Sequence, residues 1–318
     1  MRGFKIKRKP SAQAEIPAQE AKEGVGEDTL DLTFIDKLQN LNFTYSLKLS
    51  EGVTGNRKSN AKGNSIEFSD YREYILGDDF RKIDWNAYGR TKKLYVKQFM
   101  EEKEGIYHIL LDTSSSMRFG EVPKSTHARL LAAAFSYIIL CNQDRVCIDE
   151  LREHSVLSHA GVTGRASFPT ILHHLNHMQY GGQTTLLESI RQCKFPSGGV
   201  SIVISDFLEE GNLEDMVRFL AFHKQTILLI QVLAKEEREQ TDILDGCIDF
   251  IDMETSLHQQ VTMSKTALDS YQNRFKEHQK KLLGYARKYH CIYFPVYTDE
   301  EIGTLLQNGC HGVLSKKI

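Results

Sequence analysis

Long hydrophobic runs are missing from this 318-residue chain. The longest, Leu130 to Cys141, is broken by Ser136 and falls well short of the roughly 20 apolar residues a membrane-crossing helix needs. The opening MRGFKIKRKP is basic but has no apolar stretch behind it, so it does not read as a secretory leader. Cysteine is sparse too: six residues, Cys141, Cys147, Cys193, Cys247, Cys291 and Cys310, with no Cys-x-x-Cys pair. That argues against a disulfide framework or a zinc ribbon and for reduced thiols in the cytoplasm. Net charge is only −2, which gives no global attraction to nucleic acid or to an anionic membrane. No Walker-type phosphate loop and no Gly-x-Ser-x-Gly elbow occurs, which removes the common signatures of an ATPase and of a serine hydrolase.

What is present divides the chain into three. Residues 1–28 are polar and aperiodic, the composition of a disordered leader. Residues 29–104 open on a helical pattern, Leu30, Leu32, Phe34, Ile35 and Leu38. They pass through a Gly/Asn/Lys-rich loop, Gly52 to Ser65, and end in KLYVKQFMEE, which alternates as a strand does. We expect a small, β-rich N-terminal domain there. Residues 105–318 alternate strand and helix. Strands are expected at Tyr107–Asp112, Val146–Glu150, Ser201–Asp206, Ile227–Leu233, Phe250–Met253 and Ile292–Val296. Helices are expected at Lys124–Leu140, Ser167–Met178, Leu186–Gln192, Leu213–Phe222 and Lys265–Lys288. Near-continuous apolar strands such as SIVIS and TILLIQVL suit a parallel sheet buried on both faces. The fold class is therefore α/β, a doubly wound, mostly parallel sheet.

In such sheets ligands gather beyond the carboxyl ends of the strands. Two expected strands end there in aspartate: ILLDTSSS at Asp112 and IVISDF at Asp206. A third loop, YGGQTTL, supplies Thr184 and Thr185. In an extended segment residues two apart point the same way, so Asp112, Ser114 and Ser116 aim at one point while Thr113 and Ser115 aim away. Oxygen donors without His or Cys are what a hard cation such as Mg2+ or Mn2+ takes. Asp, Ser and Thr at that position also cap helices, so it is the convergence of three loops that favours a cation site.

This constellation resembles a von Willebrand factor A domain with a metal-ion-dependent adhesion site. Its Asp-x-Ser-x-Ser, threonine and aspartate fall on Asp112, Ser114, Ser116, Thr184 and Asp206. The segment Arg72 to Glu102, followed closely by the Asp112 strand, is similar to the bacterial family catalogued as domain of unknown function 58. Arg72, Tyr74, Gly77, Asp78, Arg81, Ile83, Asp84 and Trp85 fill that family's signature. The resemblance implies a soluble, cytoplasmic, non-enzymatic adaptor. It also implies a MoxR-type AAA+ ATPase as partner, with a metal that captures an acidic side chain of the ATPase or of a client protein. The rival class is a metal-assisted phosphohydrolase or phosphotransferase. Its haloacid-dehalogenase-like version needs a second acid two residues after the first, where this chain has Ser114.

Three further segments admit two readings each. Arg72, Tyr74, Asp78, Arg81, Asp84 and Trp85 form either a partner-binding surface or an interdomain joint; mixed charge around one aromatic favours the joint, with Trp85 buried and Arg81 paired to an aspartate. His173 and His177, one helical turn apart, have a spacing that can bind zinc, but their apolar neighbours favour an ordinary half-buried helix. The basic loop Arg57–Lys62 reads as solvated, without nucleic acid as its target.

Overall fold

The structure is a computed structural model describing residues 4–7, 45–47, 66–101, 104–153, 155–209, 211–238, 246–252, 258–263, 265–300 and 314–316. Two compact units emerge, residues 49–104 and residues 1–48 with 105–318. The boundary at 104/105 is where the sequence changes character, but the smaller unit starts at 49 rather than 29. The reason lies in two short strands. β1 (Phe4–Lys7) pairs antiparallel with a strand at Gly246–Asp252, and β2 (Tyr45–Leu47) pairs antiparallel with one at Leu314–Lys316. The disordered leader expected over residues 1–28 lies outside the described residues except for β1. The helical pattern at Leu30–Leu38 and the loop containing Arg57–Lys62 lie outside them altogether.

In the smaller unit β3 (Ile66–Glu73) and β4 (Tyr95–Glu101) form an antiparallel ladder whose register shifts between Phe68 and Asp70. A short 3-10 turn, Phe80–Lys82, and helix α1 (Trp85–Thr91) lie between them.

The larger unit runs β5 (Ile106–Asp112), α2 (Lys124–Cys141), β6 (Arg145–Arg152), β7 (Ser155–Ser158), α3 (Phe168–Asn176) and α4 (Leu186–Ile190). It continues β8 (Val200–Ser205), α5 (Leu213–Phe222), β9 (Thr226–Leu233), α6 (Lys235–Arg238), β10 (Gly246–Asp252), β11 (His258–Met263), α7 (Lys265–Lys288), β12 (Ile292–Tyr297) and β13 (Leu314–Lys316). Its six-stranded sheet has the order β12-β9-β8-β5-β6-β7. Every pairing is parallel except that of β7 with β6. This is the doubly wound, mostly parallel sheet expected, with one substitution. The strand expected at Phe250–Met253 forms as β10, but it belongs to a separate antiparallel sheet with β1 and β11. Its place in the main sheet is taken by β7, four residues at the edge, too short and too exposed for its periodicity to show.

Burial explains why the sheet holds. Ile109, Leu110, Leu111, Ile202, Val203 and Ile204 in the central strands have no exposed surface. Leu110, Leu151, Val203 and Leu229 pack with side chains of α4, α5 and α7 on one face. Helix α2 lies against β5, β6, β8 and β9 and against α3. It is apolar almost all round, with Ala128, Leu131, Ala132, Phe135 and Ile139 fully buried, as befits a helix enclosed by its own domain. Truncating one such leucine to alanine typically costs about 2–5 kcal/mol. Among the described residues no helix is long and apolar enough to cross a membrane, and Cys141, Cys147, Cys193 and Cys291 carry free thiols.

Candidate metal centre

The strand order reverses between β5 and β8: the chain leaves β5 toward β6 on one side and later returns to β8 on the other. Ligands of doubly wound sheets sit at such a switch point. Here β5 ends in Asp112 and β8 ends in Ser205, followed by Asp206. With Leu111 opposite Ile204 in the ladder, Asp112 falls beside Ser205, and the Ser205 hydroxyl donates to Asp112 Oδ2 at 2.6 Å. The Ser114 amide donates to Asp112 Oδ1 at 2.9 Å. Burial pushes the Asp112 carboxyl up to about 6, and the negative charge of Asp206 adds to the shift, while the hydrogen bonds from Ser205 and Ser114 oppose it. No basic side chain forms an ion pair with Asp112 among the described residues.

Ser114 and Ser116 converge, as expected, but by a different route. The extended backbone reaches only to Ser114 (φ −62°, ψ 162°), and residues Ser115–Arg118 then wind into a 3-10 turn. That turn brings Ser116 back so that its Oγ lies 2.9 Å from Ser114 Oγ. The other two hydroxyl residues serve the scaffold. Thr113 Oγ1 donates to Leu151 O of β6 at 2.7 Å, and Ser115 contributes its amide, which donates to Gly182 O at 2.9 Å. The Gly181 amide donates back to Thr113 O at 2.8 Å, so the glycine loop is stitched to the serine loop. Thr184 is buried and its hydroxyl donates to Leu151 O at 3.4 Å, the carbonyl that also accepts from Thr113. A hydroxyl that donates this way keeps its lone pairs for another ligand.

Asp206 is held by two donors from separate elements. Leu208 N donates to its Oδ1 at 3.0 Å, and Lys124 Nζ, from the first residue of α2, donates to its Oδ2 at 2.7 Å. The same ammonium reaches Glu237 Oε1 at 3.0 Å, and Glu237 Oε2 accepts from the Ala234 amide at 2.8 Å. Burial works to raise the Asp206 carboxyl, but Lys124 outweighs it and holds Asp206 below its ordinary value. Burial likewise opposes the charge on Lys124, and Asp206 and Glu237 together more than offset it. Phe207 takes a left-handed conformation (φ 53°), a costly one for a bulky residue. Its full burial and the bond from its amide to Ser205 Oγ at 3.0 Å keep it there.

The donor set fits a hard divalent cation. Asp112, Ser114 and Ser116 present only oxygens, and the mutual repulsion of two buried carboxylates is what a cation would relieve. Asp206 fits less directly, because both its oxygens already accept strong hydrogen bonds. Sequence reasoning missed Lys124, Glu237 and Ser205. A lysine directly after Pro123 at a helix start looks like a solvated residue, and only the fold brings it under Asp206.

The family described as Protein of unknown function DUF58 matches the chain over residues 70–281. This chain belongs to the DUF58 family. Uncharacterized proteins of Mycobacterium tuberculosis and Mycobacterium bovis are each 25% identical to it over 249 residues, which is 76% of this chain and 78% of theirs. Among solved structures, BatB from Bacteroides thetaiotaomicron is 15% identical and covers 65% of this chain and 98% of its own, with a TM-score of 0.38. The SpRpn10 VWA domain is 10% identical and covers 65% of this chain and 95% of its own, also with a TM-score of 0.38. The fold assignment rests on the strand order described above.

The DUF58 signature residues lie in the smaller unit, where their polar members build the turn. Arg72 Nη2 lies 2.9 and 3.0 Å from the two Asp78 oxygens, and Asp78 Oδ2 also accepts from Ile75 N at 2.9 Å around Gly77, whose φ of 107° only glycine adopts readily. Asp84 caps α1 by accepting from Asn86 N and Ala87 N, and Tyr71 Oη donates to it at 2.9 Å. Tyr74 is half-buried and its amide donates to Leu94 O at 2.9 Å. Two expectations fail. Trp85, the first residue of α1 after the Asp84 cap, is 62% exposed rather than buried. Arg81 forms no salt bridge among the described residues and instead lies over the Phe80 ring, 5.9 Å from its centroid. His173 and His177 are exposed, stacked on one another with centroids 4.2 Å apart.

Proposed function

We propose that this DUF58 protein is a non-enzymatic, cation-dependent protein-interaction module. In this reading it is a cytoplasmic adaptor that works with a MoxR-type AAA+ ATPase and engages an acidic side chain of the ATPase or of a client. One observation carries the reading: Asp112 is buried at the switch point with hydroxyls around it and a second carboxylate nearby, yet has no cationic partner among the described residues.

The side chains divide the work. Asp112, Ser114 and Ser116, with Thr184 beside them, would hold Mg2+ or Mn2+. Lys124 keeps Asp206 ionised and weakens its charge as felt from Asp112. Ser205 and the Ser114 amide fix the direction of the Asp112 carboxylate, and the Thr113–Leu151 bond anchors the loop. A bound divalent cation would supply an open coordination position for an incoming carboxylate. Hydrolysis is disfavoured by the chemistry of the same loop, since Ser114 stands where a second acid would be needed and its hydroxyl turns to Ser116 Oγ.

The test is a melting experiment on chelator-treated protein with and without Mg2+. A ligand that binds only the folded state raises its stability by mass action, so the wild type should gain in Tm and Asp112→Ala should not. Capture of the cognate ATPase should then depend on Mg2+ and on Asp112. Equal Mg2+ shifts in wild type and variant would overturn the cation assignment. Undiminished capture by a folded Asp112→Ala protein would overturn the adaptor contact.

A further inference from the structure

A second cluster stands on β6, apart from the oxygen-lined centre. Glu150 is 1% exposed, and two histidines from separate segments come to it: His159, just after β7, and His174, on α3. Their Nε2 atoms lie 3.5 and 3.2 Å from Glu150 Oε1, and the three donor atoms all lie within 4.8 Å of one another. Both Nε2 atoms are buried and neither makes a hydrogen bond among the described residues. The other carboxylate oxygen is already committed: Arg152 Nη2 and Nε donate to Glu150 Oε2 at 2.5 and 3.2 Å. The imidazole rings are 3.6 Å apart between centroids, a separation at which two imidazolium ions would repel strongly.

Two buried imidazole nitrogens without a well-aligned hydrogen bond, gathered around one carboxylate oxygen, are placed as the ligands of a cation would be. Burying such atoms without a partner costs on the order of 1–3 kcal/mol each. Ligand atoms placed about 2.0–2.1 Å from a tetrahedral zinc ion are ~3.3 Å from each other, close to the two separations seen here. Two imidazoles and one carboxylate suit a borderline ion such as zinc better than magnesium.

We propose that Glu150, His159 and His174 form a zinc-binding site. The ion would bridge β6, the segment after β7 and α3, tying the edge of the sheet to the helix beside it. Three protein ligands leave the fourth position open to water or to an outside donor. The His159 side chain is 40% exposed, which gives the ion a way in. This site is independent of the cation proposed at Asp112.

The test uses the full-length chain, stripped with chelator and titrated with Co2+ as a spectroscopic stand-in for zinc. The expected result is an intense tetrahedral visible band that saturates at one equivalent and is displaced by Zn2+. His159→Ala and His174→Ala should each weaken binding by more than the about 10–100-fold that changes outside the ligand shell produce. Asp112→Ala should leave the band unchanged. Glu150→Gln keeps the volume of the buried side chain and serves if a histidine variant fails to fold, which circular dichroism would reveal. The proposal falls if folded wild type gives no band and retains no zinc. It also falls if folded His174→Ala or Glu150→Gln binds Co2+ as the wild type does.

Discussion

Lys124 Nζ lies 2.7 Å from Asp206 Oδ2, and the lysine side chain has no exposed surface at all. It opens α2, where the helix dipole disfavours a positive charge, so only its two carboxylate partners explain its place there. Removing one member of a buried ion pair leaves an uncompensated charge, at a typical cost of about 3–5 kcal/mol. Lys124→Met, similar in shape, should therefore lower the urea unfolding midpoint by that much stability. Glu237→Gln should cost less, because Lys124 keeps Asp206. A loss under about 1 kcal/mol in Lys124→Met, the range of exposed pairs, would show that the pair does not hold the β8 end in place.

The serine loop offers a sharper discrimination. Ser115 contributes its amide to Gly182 O, a bond that survives replacement by alanine, whereas Ser114 and Ser116 meet through their hydroxyls at 2.9 Å. Ser115→Ala should keep the Mg2+-dependent rise in Tm. Ser114→Ala and Ser116→Ala should each diminish it. Three variants with the same Mg2+ response would remove the hydroxyls from the proposed cation site.

These two cases also show how far the sequence could be read. The ends of β5 and β8 were legible because apolar strands stop abruptly at Asp112 and just before Asp206, and the Gly181-Gly182 turn marked the third loop. The helix Leu213–Phe222 was legible in full, since its apolar spacing is regular and Asn212 caps it by accepting from the Asp215 amide. Lys124, Glu237, His159 and His174 were not legible as site residues. Each acquires its role from partners 9 to 113 positions away in the chain, on separate elements, and pairings of that kind leave no periodicity. Trp85 misled for the opposite reason: a lone aromatic among charges suggests a buried anchor, but it stands exposed at the start of α1.

A pH dependence follows from Asp112, whose carboxyl is raised from 3.8 to about 6 by burial first and then by Asp206. A group that binds its proton more tightly in the folded state stabilises the fold at low pH and loses that contribution as pH rises. For Asp112 the stabilisation is complete below about 4 and is lost as pH rises through about 6. Chelator-treated wild type should therefore gain stability relative to Asp112→Asn as pH is lowered from 7 to 5. The comparison with Asp112→Asn cancels the opposing contribution of histidines such as His127 and His278, whose protonation is disfavoured by burial. Parallel stability curves for the two proteins across this range would contradict the buried, carboxylate-coupled state of Asp112.

The smaller unit has its own reporter, because Trp85 is the one tryptophan of the chain. At 62% exposure its emission in the native protein should already resemble that of a solvated indole and should be quenched readily by iodide. Asp84, only 6% exposed, accepts from two amides of α1 and from Tyr71 Oη. Loss of an N-cap costs about 0.5–2 kcal/mol, and the bond from Tyr71 Oη is lost with it. Asp84→Ala should shift the tryptophan-detected unfolding transition to lower denaturant. The Mg2+ response proposed for the larger unit should persist at native conditions. Blue-shifted, iodide-resistant emission from the wild type would mean that Trp85 is covered in solution.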